Sequence, residues 1–261
     1  KEIKNFKTVS KMRAFLTLRL EALLEAVRLP DQKVLAKQQR FAQEKEAWVR
    51  AGGRVDNLWA ITEDYDDNAG VAEGHYFHQD LLVAQFVHEA SPPRHLDVGS
   101  SIAGFVAHVA SFREIDIVDI RKLPETNHPN IQFIQADIQS SSLEGEWDSV
   151  SCLHTLEHFG LGRYSDPIDP SGHLAGLSNL IDLCSPGGKL YLSFPIASVA
   201  RVDFNAHRVF HPEEPLSWAP KELELIRFDY VNDGGDLVKN AKISGIPPLI
   251  YGCGVYTFTR L

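Results

Sequence analysis

Residues 95–105 read HLDVGSSIAGF. A short apolar run reaches an acid and then breaks into a glycine, two serines and, after an Ile-Ala pair, a second glycine. A strand that ends this way has two readings: a plain turn, or a loop whose small residues let a ligand approach the backbone. The segments that follow favour the second. IAGFVAHVASF reads as a helix, EIDIVDI and IQFIQAD as strands and WDSVSCLH as a fourth strand. SGHLAGLSNLIDLCS then reads as a helix and GGKLYLSFPI as a fifth strand, with LELIRFDYV and GCGVYTFTRL as two more. Strands alternating with helices predict an α/β fold, a doubly wound parallel sheet with right-handed crossovers.

Upstream of this region the pattern is helical. HYFHQDLLVAQFVHEA, residues 75–90, places Tyr76, Leu81, Leu82, Phe86 and Val87 on or near one face, and Ser91-Pro92-Pro93 breaks it. Residues 54–74 are irregular and acidic. Met12, Leu16, Leu20, Leu23 and Val27 recur at helical spacing over 7–29, Leu29-Pro30 ends that helix, and Asp31 caps a second, polar one over about 31–51. The expected organisation is a helical hairpin over 1–60 and a catalytic-type domain over 61–261. The hairpin either packs on its own domain or serves dimerisation.

Composition narrows the class. The chain has 261 residues, 44% of them hydrophobic, and a formal net charge of −9. An anionic chain is a poor partner for a phosphate backbone, so nucleic acid is not expected. No run of 18 apolar residues exists, so no membrane span is expected. KEIKNFKTVSK lacks an apolar core, so no secretory leader is expected, and without an initiator Met the sequence reads as a piece of a longer protein. Cys152, Cys184 and Cys253 lie far apart in apolar contexts, with no disulfide or zinc spacing, which points to a reducing cytoplasm.

In a doubly wound sheet the ligand sits beyond the carboxyl ends of the strands. Three successive strands deliver acids there: Asp97, Asp119 and Asp137. Asp119 follows Gly99 by 20 residues, where a carboxylate accepts from ribose hydroxyls. Asp137 lies where an adenine amino group can donate. Gly99 and Gly104 permit close approach of the backbone. The G-x-G-x-x-G pattern is absent, and Asp97 would repel a pyrophosphate but suits a cationic ligand with an amino group. A nucleoside carrying a sulfonium and an α-amino group, S-adenosylmethionine, satisfies all of these.

On HLDVGSSIAGF, IVDIRKL, IQADI, LHTLEHFGLG and SPGGKLYLSFPI, residues 94–197 resemble a class I S-adenosylmethionine-dependent methyltransferase. The departure is in the first loop, where Ser101 and Ala103 stand at two of that family's glycine positions. The resemblance implies a Rossmann-like seven-stranded sheet with the last strand antiparallel and, here, an N-terminal helical extension. It implies a cofactor set of Asp97, Gly99, Ser100, Ser101 and Gly104 at the methionyl end, Asp119 and Ile120 at the ribose, and Asp137 and Ile138 at the adenine. Tyr76 and His78, in the segment that folds over the cofactor in this family, and His154 complete it. YFHQD, LHTLEHFGLGRYSDPIDP and FNAHRVFHP further resemble a subgroup found with bacterial surface-polysaccharide synthesis, which implies a sugar hydroxyl as acceptor. A glycan or small-molecule acceptor is thus the expected partner, with a homo-oligomer or fusion to a glycosyltransferase as the macromolecular readings.

Methyl transfer to a hydroxyl needs the acceptor oxygen held in line and its proton removed. Histidine suits that role near neutral pH. His158 is the first candidate base, with Glu157 orienting it or contacting the acceptor. His207 is the second, sharing one face with His211 if FNAHRVFHP is helical. Arg163, Tyr164, Asn205 and Arg208 are the expected acceptor contacts. His154, Glu157, His158, Asp166 and Asp169 also suggest an oxygen-rich Mg²⁺ site, but Asp166-Pro167 and Asp169-Pro170 read equally as turns, so no metal ligand is assigned.

Overall fold

The computed structural model describes residues 31–140 and 143–261. The helix expected over 7–29 lies outside the described residues. The chain divides into two compact units, up to Val71 and from Ala72 to Leu261.

In the first unit, α1 spans Gln32–Arg50. The Asp31 carboxylate accepts from the Lys33 backbone N–H at 3.0 Å, which satisfies one of the orphan donors of the first turn. Ala51-Gly52-Gly53 ends the helix, with Gly52 at φ 88°. Lys37 ties α1 to the turn at Glu63–Asp66 through the Glu63 carbonyl (3.2 Å) and the Asp66 carboxylate (3.1 Å).

The second unit begins with α2, His75–Ala90, at the predicted limits. Its buried face is Gln79, Asp80, Leu82, Val83, Ala84 and Val87, while Tyr76 and Leu81 of the expected stripe are exposed. The strands follow: β1 His95–Val98, β2 Ile115–Asp119, β3 Ile131–Gln135, β4 Trp147–Leu153, β5 Cys184–Ile196, β6 Arg201–Asp203, β7 His207–Val209, β8 Leu223–Val231, β9 Leu237–Val238 and β10 Gly252–Arg260. A π-turn at Ile102–Val106 leads into the short α3, Ala107–Ala110, and α4 spans Gly172–Leu183. The sheet order is β3-β2-β1-β4-β5-β10-β8-β9, parallel from β3 to β5, with β10 inserted antiparallel between β5 and β8. Seven strands match the expectation, and the two-residue β9 extends the edge to eight.

Each face of the sheet has its own core. Leu96, Val98, Val118, Val150, Leu190 and Leu192 pack with Leu177, Leu180 and Ile181 of α4. Ile115, Ile117 and Leu153 pack on the other face with Leu82, Val83 and Val87 of α2 and with Phe105, Val106 and Val109. The period-2 alternation of a strand explains this division: Leu96 and Val98 face one layer, so Asp97 between them faces the other. Burial on both faces is also why β1 carries no exposed residue.

FNAHRVFHP is not helical. β6 and β7 form a separate antiparallel ribbon in which Asp203 pairs with His207, so His207 and His211 do not share a helix face. The β-branched Val202 and Val209 favour the extended state here over the four-residue spacing. No helix among the described residues is long and apolar enough to cross a membrane.

Candidate active site

The carboxyl ends of β1, β2, β3 and β4 surround two adjoining clefts. The first runs between Gly99, Asp119, Ile120, Asp137, Ile138 and Phe159. The second opens beside it between His75, Tyr76, Ser101, Arg163, His207 and Tyr251. Gly99, Arg121, His154, His158 and Tyr164 line both.

The loop after β1 is pinned from three sides. The Gly99 N–H donates to the Val118 carbonyl at 2.9 Å. Ser100 Oγ donates to Asp97 Oδ1 at 2.6 Å and accepts from the Leu153 N–H at 3.1 Å. Ser101 Oγ accepts from the Gly104 N–H at 3.2 Å and caps the π-turn. Gly99 has φ 71°, and a Cβ there would lie 2.4 Å from Thr155 Cγ2. This position therefore requires glycine on two independent grounds.

Asp97 is fully buried and lines neither cleft. Its oxygens accept from Ser100 N, Ser100 Oγ and Ser151 Oγ, so the carboxylate braces the loop from below. Strand parity turns the side chain under the loop, away from the space expected for the methionyl group. Burial raises its pKa to about 7 against the opposing effect of those hydrogen bonds.

Asp119 and Asp137 line the first cleft as expected. Asp119 holds Arg121 in a bidentate pair, with Nε at 2.9 Å from Oδ1 and Nη2 at 2.7 Å from Oδ2, and that guanidinium lies 4.5 Å from the Tyr164 ring centroid. Asp137 accepts from the Gln139 N–H at 2.9 Å and the Ser140 hydroxyl at 2.5 Å. Gly104 and His78 line neither cleft; the Asp80 carboxylate abuts Gly104, and His78 packs edge-on against Phe77.

The turn after β4 carries the chemistry-bearing groups. His154 sits at φ 49°, an unusual conformation for a non-glycine residue and one met at functional sites. Its Nδ1 donates to Glu157 Oε1 at 2.7 Å, and its ring stacks with those of His75 and Tyr76. Burial opposes the charged form of His154, but Cys253 and Glu157 beside it outweigh burial and raise its pKa to about 10. His75 is driven the other way, to about 4, by burial and by His154.

His158 Nδ1 donates to the Ala206 carbonyl at 2.7 Å. A carbonyl only accepts, so the proton is on Nδ1 and Nε2 carries the lone pair. Burial lowers the pKa of His158, with Glu157 opposing. His207 lies on the second cleft with its Nε2 3.6 Å from Asp203, and its pKa is also lowered by burial.

Among the expected acceptor contacts, Arg163 and Tyr164 line the second cleft. Asn205 is exposed in the β6–β7 turn and lines neither. Arg208 is buried and donates to the carbonyls of Glu157, Phe159, Asp169 and Pro170, which clamps the 159–170 loop. Asp166 accepts from the N–H groups of Gly160, Gly162 and Tyr164, and Asp169 caps Ser171, so both acids hold turns. The sequence reading missed His75, Arg121, Thr155 and Tyr251. Each acts through a position in space that no local spacing reveals.

Residues 112–214 match a family model described as Caenorhabditis protein of unknown function, DUF268. No curated protein matches the chain. Solved structures resemble it in fold. The N-methyltransferase NodS from Bradyrhizobium japonicum WM9 is 13% identical over 73% of this chain and 99% of its own, at a TM-score of 0.50. Its complex with S-adenosyl-L-homocysteine is 13% identical over 82% and 97%, at 0.47. The Burkholderia thailandensis 1,6-didemethyltoxoflavin-N1-methyltransferase, with bound 1,6-didemethyltoxoflavin and S-adenosylhomocysteine, is 14% identical over 90% and 93%, at 0.49. The second unit thus has the Rossmann-like fold of a methyltransferase.

Proposed function

We propose that the chain is an S-adenosylmethionine-dependent O-methyltransferase acting on a sugar hydroxyl of a glycan or polysaccharide, with His158 as the base. The observation that carries the reading is the hydrogen bond from His158 Nδ1 to Ala206, which leaves a basic Nε2 where the two clefts meet.

The residues present fit the cofactor. The open backbone at Gly99 provides the close approach, Asp119 and Asp137 supply acceptors for ribose hydroxyls and an adenine amino group, and Ile120, Ile138 and Phe159 supply apolar walls. Asp119 reaches ribose hydroxyls by exchanging Arg121 for them. Asp97 acts from below, by holding Ser100 and the loop in place. S-adenosylmethionine supplies, when bound, a methyl group activated by its sulfonium. His158 takes the acceptor proton on Nε2 while Nδ1 stays on Ala206. Arg163, Tyr164 and His207 supply donors and a ring face for a polyhydroxylated acceptor.

The aromatic lining by Tyr76, Tyr164 and Tyr251 favours a second reading, an amine or phenol acceptor. Incubation of the full chain with methyl-labelled S-adenosylmethionine and separate panels of glycans, phenols and amines tests both. Label in glycans supports the first reading, and label confined to amines or phenols replaces it with the second. No heat on titrating S-adenosylhomocysteine into the chain would sink both.

A further inference from the structure

We propose that His75, His154 and Cys253 form a binding site for a divalent metal ion of the zinc class. One ligand atom from each of the three lies within 4.8 Å of the others, and they form the one such His/Cys/Asp/Glu group among the described residues. They come from the first turn of α2, the end of β4 and the start of β10, so three separate elements meet at the point.

The donor chemistry selects the ion. Two imidazoles and a thiolate are borderline to soft ligands, which suit zinc and its neighbours and not Mg²⁺ or Ca²⁺. A tetrahedral zinc holds nitrogen and sulfur ligands about 3.3–3.6 Å apart, so the side chains close by little more than ~1 Å on binding.

The ligands are aimed from behind. The Glu157 carboxylate accepts from His154 Nδ1, which leaves Nε2 as the ligating nitrogen once the metal displaces its proton. His154 Nε2 is buried with no oxygen or nitrogen partner, and the Cys253 thiol stands beside it. Ligation gives that nitrogen a strong partner in place of a weak thiol contact. His75 is hydrogen-bonded to the Tyr251 backbone. A carboxylate or carbonyl behind each imidazole is what fixes ligating histidines in metal sites. Cys253 is wholly buried, while His75 and His154 line the second cleft. The fourth coordination position therefore opens on that cleft, to water or to a heteroatom of the acceptor.

The test uses the full chain stripped by chelator and titrated with Zn²⁺ alone in competition with a chromophoric chelator. Neither methyl donor nor acceptor is present, so failure here leaves the methyl-transfer reading standing, and the reverse holds. One equivalent of Zn²⁺ is expected. Co²⁺ in its place should give a sulfur-to-metal charge-transfer band in the near ultraviolet and strong visible bands of tetrahedral coordination. Cys253→Ser should abolish the charge-transfer band, and His75→Gln should weaken Zn²⁺ binding about 100-fold. His75 is only partly buried, so His75→Gln carries the test if Cys253→Ser does not fold. Failure to bind Zn²⁺, a Co²⁺ spectrum without the sulfur band, or wild-type affinity in a folded variant would overturn the proposal.

Discussion

Replacing Gly99 by alanine perturbs the loop after β1 in two separable ways. A left-handed backbone at φ 71° costs an L-residue about 1–2 kcal/mol. The new Cβ would also stand 2.4 Å from Thr155 Cγ2 and 3.0 Å from Oγ1, and relieving such an overlap costs about 1–3 kcal/mol. The expected total is about 2–5 kcal/mol, read as a fall in the urea midpoint at constant slope. Thr155→Ala separates the two parts. It removes Cγ2 and Oγ1 but leaves Thr155 Cβ at 3.3 Å from the added methyl, a tight contact that a shift of a few tenths of an ångström relieves. Alone it forfeits the hydroxyl bond to the Leu153 carbonyl, about 1 kcal/mol. The double variant should recover the overlap and keep the backbone cost, for a coupling of about 1–3 kcal/mol. S-adenosylhomocysteine titration should show the same rescue, since Gly99 lines both clefts. A Gly99→Ala protein within about 0.5 kcal/mol of wild type, or two substitutions whose effects simply add, would refute the account of this loop.

His158→Gln should lower kcat by about 10²–10⁴-fold, far more than it weakens S-adenosylhomocysteine binding; a loss under ~10-fold removes His158 as the base. Because burial lowers its pKa, the acid limb of the kcat/KM profile should fall below the ordinary histidine value of about 6.5, and a limb above it contradicts this. Asp97 ionises near about 3.9 when unfolded and at about 7 when folded. The folded state thus binds its proton more tightly, and stability from this group is full below the lower value and lost as pH rises to the upper, by ~4 kcal/mol. Asp97→Asn should flatten that decline, and identical urea midpoints against pH for both proteins would exclude it. Arg208→Met leaves four carbonyls without their donor and should cost about 2–4 kcal/mol in urea unfolding, with an equally stable variant as the refuting result.

The strand and helix pattern was legible because its signals are local. LELIRFDYV and HYFHQDLLVAQFVHEA fall on β8 and α2 at their limits, set by alternation in one and by a glycine before and Pro92 after the other. The ribbon at 201–209 was left open because a four-residue histidine spacing is equally available to a helix and to an extended chain. Gly99, Asp119, Asp137 and His158 come together on the clefts because strand ends converge on one edge of any such sheet. Asp97 and Arg208 were assigned to ligands because a sequence shows that a charge is present and not what surrounds it.

Read alone, then, the sequence determined the order of strands and helices, the glycine after β1 and the acids at the next two strand ends. Each depends on residues within a few positions of one another. The tertiary structure alone decided that Asp97 turns beneath its loop, that Arg208 serves four carbonyls, and that His75, His154 and Cys253 meet. Those three lie far apart along the chain, and only the packing of α2 against the ends of β4 and β10 brings their ligand atoms into one place.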